Sequence, residues 1–134
     1  FRASSIELAV RARAVPDDRP LFDEEFGLGA RYPSGEETLA VVDLWRRGRG
    51  LVWVDRTLVR HEDAPGDDKR LRPERFFSKG ALFRRLYGRP GIVPAVGFAV
   101  KKWLTRDRGP GLGASLRSVV RGFRDYGRVE ERVR

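Results

Sequence analysis

Apolar positions follow several rhythms along the chain. Over residues 4–15 they alternate loosely, with Ile6, Leu8 and Val10 on one side and Glu7 and Arg11 off it, which predicts a strand. Asp17, Asp18 and the prolines at 16 and 20 end it. Residues 21–33 show no periodicity. Gly27 and Gly29 permit backbone angles that other residues avoid, and Pro33 restricts Tyr32, so a loop with brief turns is expected. A helix is predicted over 35–47, closed by Gly48, with Arg46 and Arg47 in the last turn where cations oppose the helix dipole. On that helix Glu36, Ala40, Asp43 and Arg47 form the one continuous polar stripe, while Glu37 falls on the line of Val41, Leu44 and Trp45. Glu36 should then face water and Glu37 should overlie an apolar seam.

"GLVWVD" (50–55) reads as a short buried strand and "RTLVRH" (56–61) as a second extended piece ending at the single histidine. The polar stretch 62–73 predicts an exposed loop. Helical periodicity then takes over at about 74–87, 92–105 and 112–126. In the last of these Leu112, Leu116, Val119, Val120 and Phe123 share one face, with Arg117, Arg121, Arg124 and Arg128 gathered opposite. No internal repeat or low-complexity tract interrupts the pattern.

Length and charge narrow the reading. The 134 residues suit one domain with one modest core. The first residue is Phe1 and methionine is absent, so the chain is expected to be an excerpt of a longer one. A net charge of +9 favours phosphate-bearing partners, whether anionic lipid, nucleotide or nucleic acid. Cysteine is absent, which excludes disulfides, thiol nucleophiles and thiolate metal sites and suits the cytoplasm. The longest apolar run, "GIVPAVGFAV" (91–100), is about half of what a bilayer span needs.

The candidate chemistry centres on "SGEE" (34–37). Ser34 and Glu37 have the spacing of a capping box, in which each side chain satisfies the other residue's backbone N–H. Two adjacent acids at a helix start, one aimed inward, also suit a general base held near a positive helix end. Both readings stand on the residues alone. His61, flanked by Glu62 and Asp63, is either a polar surface residue or one ligand of a divalent ion whose other ligands lie elsewhere. The Asp17-Asp18 and Asp67-Asp68 pairs read as solvated turns. Walker-type, dinucleotide-binding and nucleophile-elbow motifs are absent, which leaves nucleophilic hydrolase chemistry unsupported. The arginine-bearing final helix can lie on an anionic membrane or simply pack on its own domain, and no aromatics interleave with the arginines as nucleic-acid stacking requires.

The segment "LFDEEFGLGARYPSGEETLAVVDLWRRGRGLVWVDRTLVRH" resembles the second half of the catalytic domain of family 2 glycosyltransferases of the GT-A fold. The likeness rests on the F-D-E-x-F-G-x-G loop (Phe22, Asp23, Glu24, Phe26, Gly27, Gly29), the acidic pair Glu36 and Glu37, Gly48, the strand Val52–Val54 and His61, and covers about residues 1–63. "RSVVRGFRDYG" is similar to the short C-terminal helix of these enzymes. The resemblance implies an α/β architecture, with residues 1–66 the acceptor-side half of a Rossmann-like GT-A domain and 67–134 an exposed loop followed by a helical basic tail. It implies inverting transfer of a sugar from a nucleotide-sugar to an acceptor glycan or lipid-linked acceptor, with a divalent ion (Mn²⁺ or Mg²⁺) neutralising the departing diphosphate. By position Glu37 is the base and Glu36 an accessory or acceptor-binding group. Asp23, Gly27 and Gly29 line the acceptor pocket, and His61 is a metal or diphosphate ligand. The basic tail is then expected to rest on the cytoplasmic face of a membrane. Two departures are evident. The second acid is Glu where Asp is commoner, which extends its reach by one methylene. The donor-binding half with its D-x-D motif is absent from these residues, so the chain is expected to be inert by itself. The alternative is a non-catalytic basic domain that binds anionic lipid or nucleic acid.

Overall fold

The computed structural model describes residues 8–15, 20–55, 73–105 and 111–133. They carry four α-helices: α1 (Glu36–Arg46), α2 (Pro73–Tyr87), α3 (Ile92–Leu104) and α4 (Leu112–Val133), with short 3₁₀ turns at Ala12–Ala14 and Arg89–Gly91. The chain divides into two compact units, one of Phe1–Glu24 and Glu36–Asp68, the other of Glu25–Gly35 and Lys69–Arg134.

The second unit is a helical bundle with a loop packed on it. Proline opens α2, where its missing N–H costs nothing. Gly88 closes that helix with φ 62°, in the left-handed region, and donates its N–H to the Arg84 carbonyl at 2.8 Å. The core gathers Phe76, Ala95, Ala99, Val119 and Phe123, with Phe83, Ile92, Phe98 and Leu116 partly buried against it. A buried Phe or Val of this kind contributes about 1.5–3 kcal/mol of hydrophobic stabilisation. Small residues let α2 and α4 approach backbone to backbone. A Cβ on Gly80 would collide with the Val119 carbonyl oxygen, and one on Gly122 with that of Phe77. The helix α4 runs past its predicted end at 126, and Glu130 in its extension pairs with the Arg84 Nη2 at 3.2 Å.

The loop Glu25–Gly35 docks through aromatic rings. Phe26 and Tyr32 form an isolated bridge, with Gly27 N–H donating to the Tyr32 carbonyl at 2.9 Å and Tyr32 N–H to that of Glu25 at 3.0 Å. Their ring centroids lie 4.8 Å apart, and Tyr126 of α4 sits 5.8 Å from each. Phe77 of α2 lies 5.5 Å from Tyr32.

In the first unit Leu39, Ala40, Val41 and Leu44 of α1 are buried. The helix ends in a Schellman motif. Gly48, at φ 74°, donates to the Trp45 carbonyl at 2.9 Å, and Arg49 N–H reaches that of Leu44 at 3.0 Å.

The α/β expectation is overturned. Among the described residues there is no strand and no sheet, only the Phe26–Tyr32 bridge, so the architecture is helical and not a Rossmann-like GT-A domain. Residues 8–15 turn at Ala12–Ala14 where a strand was predicted; residues 1–7 and 56–61 lie outside the described residues. The predicted buried strand at 50–55 is in no sheet, and Val52 and Trp53 are 85% and 83% exposed. A strand is stabilised by a partner far along the chain, so a local apolar run with β propensity does not secure one. The predicted helices, which close their own hydrogen bonds, are all found.

Candidate functional site

Gly35 takes φ 117°, which no residue inside a helix adopts, so α1 begins at Glu36. That geometry shifts the capping box out of register. A box would need Gly35 within the first helical turn, and the Ser34 N–H it assigns to Glu37 donates to the Tyr32 carbonyl at 2.7 Å. Glu36 and Glu37 occupy the first two helical positions, next to the unpaired N–H groups and the positive end of the dipole. Both side chains are half-buried.

The wheel expectation for Glu36 changes accordingly. Ala40, on its stripe, is buried, while Trp45, on the stripe of Glu37, is 64% exposed. The buried arc of α1 therefore passes between the two glutamates, and a sequence wheel weighted by charge and aromatic size misplaced it. Glu36 Oε2 is shielded from water and has no hydrogen-bond donor among the described residues. Glu37 does have a polar or ionic partner.

Of the other sequence-predicted residues, Asp23 is half-buried and engaged. Gly27 and Gly29 take φ 122° and 83°, as the loop reading requires. Gly27 is buried beside the Phe26–Tyr32 bridge, while open space surrounds Gly29. His61 lies outside the described residues, and among those described no group of three or more His, Asp or Glu side chains is placed to hold a metal ion. A shallow depression lined by Trp45, Gly48, Arg49, Gly50 and Leu51 lies at the opposite end of α1 from the two carboxylates.

A polar cluster of Arg31, Tyr32 and Asp125 was invisible in the sequence. Asp125 of α4 accepts two parallel bonds at 2.8 Å from the Arg31 Nε and Nη2 and a third at 3.0 Å from the Tyr32 hydroxyl. The Arg31 hydrogen bond holds the Asp125 carboxyl below the usual carboxylate range, against the opposing effect of burial and with help from Tyr32. Burial, then the bond to Asp125, raises the Tyr32 phenol well above its ordinary value. Arg31 and Tyr32 sit 94 and 93 positions from Asp125, so no local spacing signals the cluster.

The apolar side of α4 is already used. Val119 and Phe123 are core residues and Leu116 packs against them, so this side is not free for a membrane. Arg117, Arg121, Arg124 and Arg128 are exposed, with Arg121 lying 5.8 Å over the Phe77 ring. No helix among the described residues is long and apolar enough to cross a membrane. No protein-family model, curated protein or solved structure matches the chain.

Proposed function

We propose that Glu36 and Glu37 are the acceptor-handling carboxylates of an inverting glycosyltransferase acting in polysaccharide or glycolipid synthesis. The reading rests on residues 22–37 and not on an α/β frame. One observation carries it: the Glu36 Oε2 is withdrawn from water with no donor among the described residues, at a helix start that also presents Glu37. A shielded carboxylate oxygen lacking a donor is a costly arrangement unless a ligand supplies one. Sugar acceptors are rich in hydroxyl donors.

In this reading Glu36 accepts a hydrogen bond from one acceptor hydroxyl, and Glu37 takes the proton of the hydroxyl that attacks. The new bond joins the acceptor oxygen to the anomeric carbon as the bond to the nucleoside diphosphate breaks on the opposite face, which inverts the centre. A divalent ion, Mn²⁺ or Mg²⁺, with His61 among its ligands, belongs to the reading by resemblance alone; when bound it neutralises the departing diphosphate.

The test is transfer by the native gene product, assayed with a panel of nucleotide-sugars and glycan or lipid-linked acceptors. Glu37→Gln is expected to lower kcat by about 10²–10⁴-fold with folding intact, the usual contribution of a positioned general base. Glu36→Gln is expected to raise the KM for acceptor more than that for donor. Wild-type kinetics in both variants would remove the pair from the mechanism.

A further inference from the structure

The helix α3 is apolar on both sides: one faces the bundle core, and on the other Val93, Gly97 and Leu104 are exposed while Val96 and Val100 are half-buried. Ala95 and Ala99 enter the bundle core, with Ile92 and Phe98 packed beside them. The opposite side carries Val93, Val96, Gly97, Val100 and Leu104, which recur at helical spacing. Val93 is 73% exposed and Leu104 65%, while Trp103 at the helix end is 52% exposed. Such a face on a helix only about 20 Å long cannot span a bilayer, but it can lie within the surface of one.

Charge identifies the occupant. From Arg75 to Thr105 the chain carries seven Lys or Arg residues and no acid, and of these Arg84 is matched by Glu130 of α4. Arg89 precedes α3 and Lys101 borders its outer face, and both are exposed. A second copy docked about a two-fold axis through this face would bring its Arg89 and Lys101 toward their own counterparts, cation to cation. An anionic lipid surface meets both requirements: acyl chains for the valines and leucine, headgroup phosphates for the lysine and arginine, and the boundary layer that tryptophan favours.

We infer that the outer face of α3 is a seat for an anionic bilayer, entered in the plane of the membrane by Val93, Leu104 and Trp103 and held at its rim by Arg89 and Lys101. This places the contact on α3, not on the arginine face of α4, and it is independent of the carboxylate reading.

The full chain is to be co-sedimented with vesicles of phosphatidylcholine and of phosphatidylcholine containing phosphatidylglycerol. Partitioning onto the anionic vesicles that weakens with salt is expected. The double variant Val93→Asp/Leu104→Asp should lower that partition by about tenfold or more, since both side chains leave the acyl layer. Because both positions are exposed, its far-UV circular dichroism should match wild type. In a Trp45→Phe/Trp53→Phe background, Trp103 emission should shift to the blue on anionic vesicles only. The inference is overturned if wild type ignores anionic vesicles or if the double variant binds them undiminished. It is equally overturned if the same variant abolishes a concentration-dependent dimer in a chain that shows no lipid binding.

Discussion

Asp125 ties a loop to a helix through a single carboxylate. Its three donors come from adjacent residues, Arg31 and Tyr32, and the latter is fully buried. Replacing Asp125 by Asn keeps the shape but removes the charge that both donors address, and is expected to lower the urea unfolding free energy at neutral pH by about 1–3 kcal/mol. Tyr32→Phe removes one bond and should cost about 1 kcal/mol. The two effects differ in pH. The Asp125 carboxyl is depressed in the folded chain, so its contribution is complete above the unfolded value of about 4 and is lost as pH falls through the folded one. Asp125→Asn should therefore flatten the acid limb of stability against pH. The Tyr32 phenol is raised, so its contribution is present below about pH 10 and lost as pH climbs beyond. Tyr32→Phe should flatten the alkaline limb and leave the acid one sloping. Equal slopes in wild type and variants would mean that neither group titrates differently on folding.

The helices α2 and α4 meet where neither has a side chain. Gly122→Ala drives a methyl into the Phe77 carbonyl, and the overpacking cost of about 1–3 kcal/mol should exceed the gain of about 1 kcal/mol in helix propensity. Gly97→Ala on α3 meets nothing within 4 Å and should stabilise by about 0.4–1 kcal/mol. Denaturant midpoints that moved the same way in both variants would contradict this crossing. These two glycines look alike in sequence, each inside a helical pattern, and only the neighbouring backbone separates them. The helices themselves were legible because their apolar spacing and stop signals are local: Gly48 and Gly88 end α1 and α2. The strands were not, because "LVWV" specifies β propensity without specifying a partner, and here the run lies exposed. The candidate site was half legible. The position of the glutamate pair and the loop glycines could be read, whereas the buried arc of α1 and the φ of Gly35 depend on packing that the wheel does not contain.

In the second unit α2, α3 and the aromatic loop all lean on α4. It packs on α2 and α3, its Tyr126 holds the Phe26–Tyr32 pair, and its Asp125 holds Arg31. The unit should therefore open as one, and amide exchange at Val119–Phe123 is expected to proceed only through unfolding of the whole unit. Exchange there at the rate of the helix ends would show instead that α4 frays alone. The order of the elements along the chain adds a constraint in time. The strut that holds this unit follows its other helices along the chain, so the aromatic loop, α2 and α3 emerge first with only one another to pack on. Phe26 and Tyr32 gain Tyr126 and Asp125 as partners only once α4 has emerged, so the docking of this loop waits on the last of the described helices.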